Sequence, residues 1–541
     1  MAKKAKSLPR VAYFCMEYAL QSDVKLYAGG LGILAGDYLK GAKDHGYPMV
    51  GIGIKWKQGY TDQRIAAEDK VIDTFPIYKY PFLKDTGVMV TVKIRQRNVK
   101  CKVWLDETHG TVPLYLLDTD VPGNEDGWIT GQLYGWFGEE RVAQEMVLGI
   151  GGVRALRALG ITTDVYHFNE GHALFAGFEL VREKVKKGMT FGKALIATKE
   201  EIVFTTHTPV VQGNESHYIS RLIYMGADNG VFNEKKLEDL GGSPFNMTVG
   251  ALMLSRASNA VAQLHAVTAN KMWRKVKNRS EIIGITNAIH RPTWVDPKMI
   301  EAVEKGGDLW SAHQQNKKNL IAFVKERTGV QLKEDSLLIG FSRRAVPYKR
   351  SDFIFSDRKK VDGLFKSGRL QIIFSGKAHP LDDRGKEIVQ NIVSLTREYP
   401  DSVVFLENYD MNIGSMLVRG SDVWLNNPRR PQEASGTSGM KAAMNGALNL
   451  SILDGWWPEA CEHNVNGWQI GDGFESKEEK KLDAHDQKAM YQVLLNDVIP
   501  TYYDDRGRWI KMMRSSILST KDQFAVKRML EEYYSKLYQK A

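Results

Sequence analysis

The chain has 541 residues, which is too long for one ordinary hydrophobic core and favours roughly two to four domains. Its 43% hydrophobic and 26% charged content is that of a soluble globular protein, and no apolar run is long enough to span a membrane. The net charge of +10, from 74 basic and 64 acidic side chains, comes from interleaved signs, which argues against a nucleic-acid footprint. Cys15, Cys101 and Cys461 are too far apart and too few for a disulfide framework or a Cys-x-x-Cys zinc site, so no metal centre is expected. The basic N-terminus lacks the apolar core and small-residue cleavage pattern of a secretory signal, and a cytoplasmic chain is expected.

Apolar residues 11–16 predict a buried strand ending at Glu17. Gly29-Gly30-Leu31-Gly32 then opens a helix over 33–43, and the apolar run 49–54 is the next strand, which together make a βαβ unit. A helix over 141–159, a strand over 164–168, a helix over 171–187 and a strand over 202–206 follow. The second half repeats the pattern, with strands at 337–342, 370–375, 403–407, 423–426 and 448–453. Helices are predicted at 384–396, 413–419 and 440–445, and from 488 onward the pattern is helical throughout. Alternating strands and helices imply α/β structure with parallel sheets covered on both faces, read here as two doubly wound Rossmann-like domains. The boundary falls near 285–292, giving domains 1–286 and 287–541, the second ending in helices that return to the first. Ligands are expected in the cleft between domains, at the carboxyl ends of the strands.

Three segments carry chemistry. Gly30-Leu31-Gly32-Ile33-Leu34-Ala35 has a Gly-x-Gly-x-x-Ala spacing, but a dinucleotide site needs an acidic residue about twenty positions on, where Lys55 and Lys57 stand. It reads as an anion loop, with a plain structural turn as the alternative. Arg343, Arg344, Lys349 and Arg350 crowd the end of a strand, either as a solvated face or as cations for two phosphate dianions. Glu433-Ala434-Ser435-Gly436-Thr437-Ser438-Gly439-Met440-Lys441 is a glycine- and hydroxyl-rich turn leading into a short helix. Peptide N–H groups at such a helix start suit a phosphate, and the lysine amine can form a Schiff base with a carbonyl cofactor.

That last string closely resembles the lysine segment of the α-glucan (glycogen, maltodextrin) phosphorylases, in its short bacterial form. The resemblance implies the paired Rossmann-like domains of the GT-B glycosyltransferases, and covalent pyridoxal 5′-phosphate on Lys441. It implies further cofactor contacts from Thr437, Ser438, Gly30, Trp294 and Tyr409. Arg344 resembles the arginine that grips inorganic phosphate, Lys349 the lysine near both phosphates, and Arg343 stands where animal enzymes have lysine. Tyr348 resembles the tyrosine that reaches a glucose hydroxyl, and Gly29 and Gly32 belong to the glycine loop facing the substrate phosphate. Asn287 fits the sugar-binding asparagine of the Thr-Asn-Gly-Ile segment, although Ala288 replaces its glycine and plain packing explains Trp294 equally well. His207 resembles the histidine lying against the reacting glucose, with a structural role as the alternative. Asn169-Glu170-Gly171-His172 resembles a sugar-side segment, and Arg141-Val142-Ala143-Gln144-Glu145 matches a supporting string. Glu433 would hold a glucose hydroxyl, with Ser435 and Gly436 beside it. Asp410 replaces an arginine of the animal enzymes, so no cofactor contact is carried over there. The short segment before the first strand leaves no room for the animal regulatory arm, and phosphorylation control of that kind is not expected.

The implied reaction is retaining phosphorolysis of an α-1,4-glucan by inorganic phosphate to α-glucose 1-phosphate, with the cofactor phosphate as proton relay. Two alternatives remain at this level. A glycogen-synthase-like nucleotide-sugar transferase carries a Glu-x7-Glu pattern, but Lys441 stands at the second carboxylate's place. A non-catalytic glucan-binding relative would keep the fold alone. Trp128, Trp136, Trp456 and Trp457 could stack on sugar rings or pack in the core. Glucan chain length and assembly into a homo-oligomer are left open.

Overall fold

In the computed structural model, which describes residues 7–210 and 213–540, the chain divides into two units whose main boundary falls between Thr286 and Asn287. The first unit holds the described residues up to Tyr60, then Phe75–Thr286 and those from Met529; the second holds Thr61–Thr74 and Asn287–Arg528.

The first unit is built on nine strands: β1 (Val11–Phe14), β2 (Met49–Ile54), β3 (Lys84–Ile94), β4 (Arg97–Asp106), β5 (Leu114–Asp118), β6 (Val165–Asn169), β7 (Ile202–Thr205), β8 (Ala257–Ala260) and β9 (Ile282–Gly284). They lie in the order β9-β8-β7-β6-β1-β2-β5-β4-β3. The seven strands from β9 to β5 are parallel, and the hairpin β3–β4 runs antiparallel at one edge. Every residue of β1, β6 and β7 is buried, as expected of strands covered on both faces. β3 instead buries residues on one side only, so its mixed polar sequence does not announce a strand. The helix Gly30–Asp44 packs close enough that a Cβ on Gly36 would lie 1.9 Å from the Ala19 carbonyl oxygen.

The second unit has six parallel strands: β10 (Leu337–Ser342), β11 (Leu370–Ser375), β12 (Val403–Leu406), β13 (Val423–Asn426), β14 (Leu448–Ile452) and β15 (Gly467–Ile470). Their order, β12-β11-β10-β13-β14-β15, is that of a doubly wound dinucleotide-binding sheet. Leu337, Ile339 and Phe341 face one core with Trp468, Tyr502 and Trp509, while Leu338 faces the opposite core with Leu320 and Leu417. Strands β10, β11 and β13 match the predicted spans, whereas the four-residue β15 is too short for periodicity to reveal.

Two excursions cross the predicted boundary. Residues 61–74 form a hairpin, Asp62–Ile65 with Val71–Thr74, that belongs to the second unit. Gln63 exchanges hydrogen bonds with the backbone of Ala378 at 2.9 and 3.1 Å, and Asp73 pairs with Lys386 at 2.7 Å. The C-terminal residues from Met529 belong to the first unit, where the Tyr538 hydroxyl meets His167 at 2.6 Å and Tyr38 at 2.7 Å. Among the described residues, no helix is long and apolar enough to cross a membrane.

Candidate active site

In a doubly wound sheet, ligands bind at the carboxyl ends of strands where the strand order reverses. In the second unit that point lies between β10 and β13. The segments leaving those strands, 343–350 and 427–436, carry Arg343, Arg344, Tyr348, Lys349, Glu433, Ser435 and Gly436 of the residues singled out by sequence. Arg343 and Lys349 both bind Oε2 of Glu433, Lys349 at 2.5 Å, and all three side chains are buried. Against the cost of burial, the two cations hold the Glu433 carboxyl below its usual range. The Glu433 N–H donates to Oδ2 of Asp454 at 2.9 Å, and burial pushes that carboxyl up to about 8. Gly455, at φ 58°, lies so close that a Cβ would stand 2.2 Å from the Ser435 carbonyl oxygen.

The four neighbouring cations divide by role. Arg350 is structural: it binds Asp483 at 2.9 Å, Asp486 at 2.7 Å, and the carbonyls of Asn427 and Pro428. Arg344 is exposed and makes no ion pair among the described residues, though its charge acts on Glu433. Tyr348 is half-buried, its ring 4.8 Å from Nζ of Lys349.

Gly436 adopts a left-handed conformation at φ 88°, and the helix Thr437–Met444 starts immediately after it with no side-chain cap. The helix thus begins three residues earlier than predicted, with Thr437 and Ser438 in its first turn. Lys441 is buried on this helix, its Nζ 3.8 Å from the Trp294 ring centre. Ser438 Oγ accepts from the Trp424 indole N–H at 3.3 Å. Tyr409 is half-buried with its hydroxyl against Gly414, and desolvation pushes its phenol up to about 12, so it stays protonated. Asp410 has a local role: its carboxylate caps the helix Met411–Gly420 by accepting from the Ile413 N–H at 2.9 Å.

These residues fit pyridoxal phosphate. An amine sits in an aromatic socket, and an uncapped helix start offers N–H donors to a phosphate. Among the described residues, buried Ser435 Oγ, Asn287 Oδ1 and Arg343 Nη1 have no hydrogen-bond partner, a set of polar atoms that a ligand can satisfy.

In the first unit the order reverses between β1 and β6, and Glu17, Asn169, Glu170 and His207 follow or close strands β1, β6 and β7. Glu17 supplies the anion on the glycine loop: its Oε2 accepts from the N–H of Ala28 at 2.7 Å and of Gly29 at 3.0 Å. Tyr134 donates to its other oxygen at 3.1 Å. The Gly29 N–H is therefore committed to Glu17, and a Cβ on Gly32 would lie 2.6 Å from the same carboxylate, so Gly32 serves packing. A Cβ on Gly30 would meet nothing within 4 Å among the described residues. His207 donates through Nε2 to Asn169 Oδ1 at 2.6 Å, and its backbone N–H donates to Glu170 at 2.9 Å. Burial pushes its imidazole down to about 3, so the ring is neutral. Trp456 and Trp457 are core residues, whereas Trp128 and Trp136 are exposed.

A model of the carbohydrate phosphorylase family matches residues 298–540. The chain is 39% identical to a maltodextrin phosphorylase of Thermococcus litoralis, over 98% of its own length and 70% of that protein's. The chain belongs to the carbohydrate phosphorylase family. It is also 36% identical to a glycogen phosphorylase of Aquifex aeolicus, over 98% of this chain and 86% of the relative. An uncharacterized protein of Methanocaldococcus jannaschii is 38% identical over 97% of this chain and 99% of its own length. For this carbohydrate phosphorylase, sequence reasoning missed Asp454, which anchors Glu433, and the grip of Glu17 on the glycine loop. The available signal for Asp454 was an aspartate and glycine directly after an apolar run, the usual chemistry of a strand's carboxyl end.

Proposed function

We propose that this carbohydrate phosphorylase catalyses retaining phosphorolysis of α-1,4-glucans such as maltodextrin or glycogen, yielding α-D-glucose 1-phosphate. The observation that carries this reading is the meeting of Arg343 and Lys349 on Glu433, at the end of a sheet that also presents the buried Lys441. The two units are read as the Rossmann-like pair of a GT-B glycosyltransferase, and the three free cysteines suit the reducing cytoplasm.

Lys441 would hold pyridoxal phosphate, with Thr437, Ser438, Trp294 and Tyr409 around it. When bound, that group supplies a phosphate monoester whose second pKa of about 6 allows proton exchange near neutral pH. Arg343, Arg344 and Lys349 offset the charge of the substrate phosphate. That phosphate donates its proton to the departing glycosidic oxygen as the C1–O bond breaks. Its oxygen then bonds to C1 from the same face, which retains the anomeric configuration. The cations stabilise the anion left as the oxocarbenium-like sugar develops. Glu433, Ser435, Gly436, Asn287 and Tyr348 orient the sugar. His207, being neutral, serves as a hydrogen-bonding wall and not as an acid. Exposed Trp136 offers a stacking face for longer glucans.

The test is product formation from maltodextrins of graded length with inorganic phosphate, together with chain extension from candidate donors. Glucose 1-phosphate should be released, and should also serve as the donor in reverse, while UDP-glucose and ADP-glucose stay inert. Extension from either nucleotide sugar by cofactor-free protein would overturn the proposal in favour of a synthase.

A further inference from the structure

Helix Glu139–Met146 and the segment 215–217 bring together a second group of polar side chains within the first unit. Glu145 and His217 are fully buried, yet among the described residues neither ring nitrogen of His217 has a hydrogen-bond partner, and the Glu145 carboxyl hydrogen-bonds only with that of Glu215. Leaving such groups unsatisfied is costly, and native interiors seldom do so without a bound ligand. Half-buried Glu215 completes the group, and one donor atom from each residue lies within 4.8 Å of the others.

The spacing discriminates between a hydrogen-bonded cluster and a coordination site. His217 Nε2 stands 3.5 Å from Glu145 Oε2 and 3.7 Å from Glu215 Oε1, too long for good hydrogen bonds. Ligands about 2.0–2.1 Å from a tetrahedral zinc are about 3.3 Å from one another, close to these separations. We propose that Glu145, Glu215 and His217 bind a divalent transition metal, with zinc the best fit to one imidazole and two carboxylates.

Two further groups face the cluster. Arg141 Nη1 lies 3.7 Å from Glu215 Oε2, and His172 Nε2 lies 3.9 Å from the same oxygen. The Glu215 carboxylate therefore divides its contacts, with Oε1 toward His217 and Oε2 toward Arg141 and His172. The Glu145 and Glu215 carboxyls hydrogen-bond each other, and burial raises both. At neutral pH the competing occupant is a proton shared by the two carboxyls, which a metal would displace. Arg141 also stacks on Tyr134, 4.7 Å from its ring, and Tyr134 binds Glu17. The metal would thus brace the far side of the glycine loop and fix segment 215–217 to the helix.

The test uses the full-length enzyme, dialysed against a chelator and then given zinc or cobalt(II) alone, with bound metal measured after gel filtration. Wild type should retain about one zinc per chain, show tetrahedral cobalt bands in the visible spectrum, and melt at a higher temperature with zinc. His217→Ala should lose all three signatures, and so should Glu145→Gln, which keeps the side-chain volume and mimics the protonated acid. If His217→Ala fails to fold, Glu145→Gln decides. Absence of zinc and of cobalt bands in wild type overturns the proposal in favour of the shared proton. Retention of zinc by Glu145→Gln overturns it too, because the metal then sits elsewhere on the surface.

Discussion

Nζ of Lys349 lies 2.5 Å from Oε2 of Glu433, the oxygen that Arg343 also binds. Two buried cations on one carboxylate, with Asp454 neutral below about pH 8, leave the cluster with a net positive charge. Such a centre is balanced for its own fold and still short of one anion. An incoming phosphate can supply that anion without first stripping every internal partner.

Glu433→Gln tests this balance. Removing the carboxylate leaves two buried cations unpaired, which should cost about 3–5 kcal/mol without phosphate. Inorganic phosphate should then raise the melting temperature of the variant more than that of wild type. The depressed Glu433 carboxyl contributes stability above the usual glutamate range, and that stability is lost as pH falls through its lower folded value. The variant should lack this acid limb. Melting curves with and without phosphate, from pH 3 to 7, check both outcomes, and an equal phosphate effect would refute the balance.

Asp454→Asn probes the opposite shift. A carboxyl raised to about 8 contributes stability that is full below its unfolded value and is lost as pH rises toward 8. Wild type should therefore lose stability relative to Asp454→Asn across pH 4–8, by at most about 1.4 kcal/mol per pH unit. The asparagine oxygen can still accept the Glu433 N–H. Denaturant titrations at stepped pH measure the difference, and a flat difference would mean that Asp454 is ionised throughout.

Arg344→Ala should raise the phosphate requirement strongly and leave cofactor content unchanged. Arg344 is exposed and makes no ion pair among the described residues, so little stability should be lost. A charge-assisted contact to a dianion is worth about 2–3 kcal/mol, or roughly 30- to 150-fold in kcat/KM. Phosphate kinetics unchanged from wild type would return Arg344 to the solvated face.

Lys441→Ala should yield a folded, colourless protein with negligible phosphorolysis. The lysine is buried over Trp294, and its loss removes the amine that would hold the cofactor. Absorbance and borohydride reduction check this outcome. Cofactor fixed by reduction in the variant would place the attachment elsewhere.

Sequence alone determined the strands β10, β11 and β13 and the family resemblance carried by residues 433–441. Those features are local: fully buried strands are continuous apolar runs, and a glycine-rich turn before a lysine-bearing helix is contiguous in the chain. Tertiary structure alone decided how the cations of 343–350 divide, because only long-range partners such as Asp483 and Asp486 distinguish structural Arg350 from Arg343 on Glu433. It likewise committed the Gly29 N–H to Glu17, twelve residues away in sequence, and carried the hairpin 61–74 into the second unit. The cluster of Glu145, Glu215 and His217 was invisible for the same reason. Glu145 stands seventy residues before Glu215 and seventy-two before His217, and only packing brings its donor atoms to theirs.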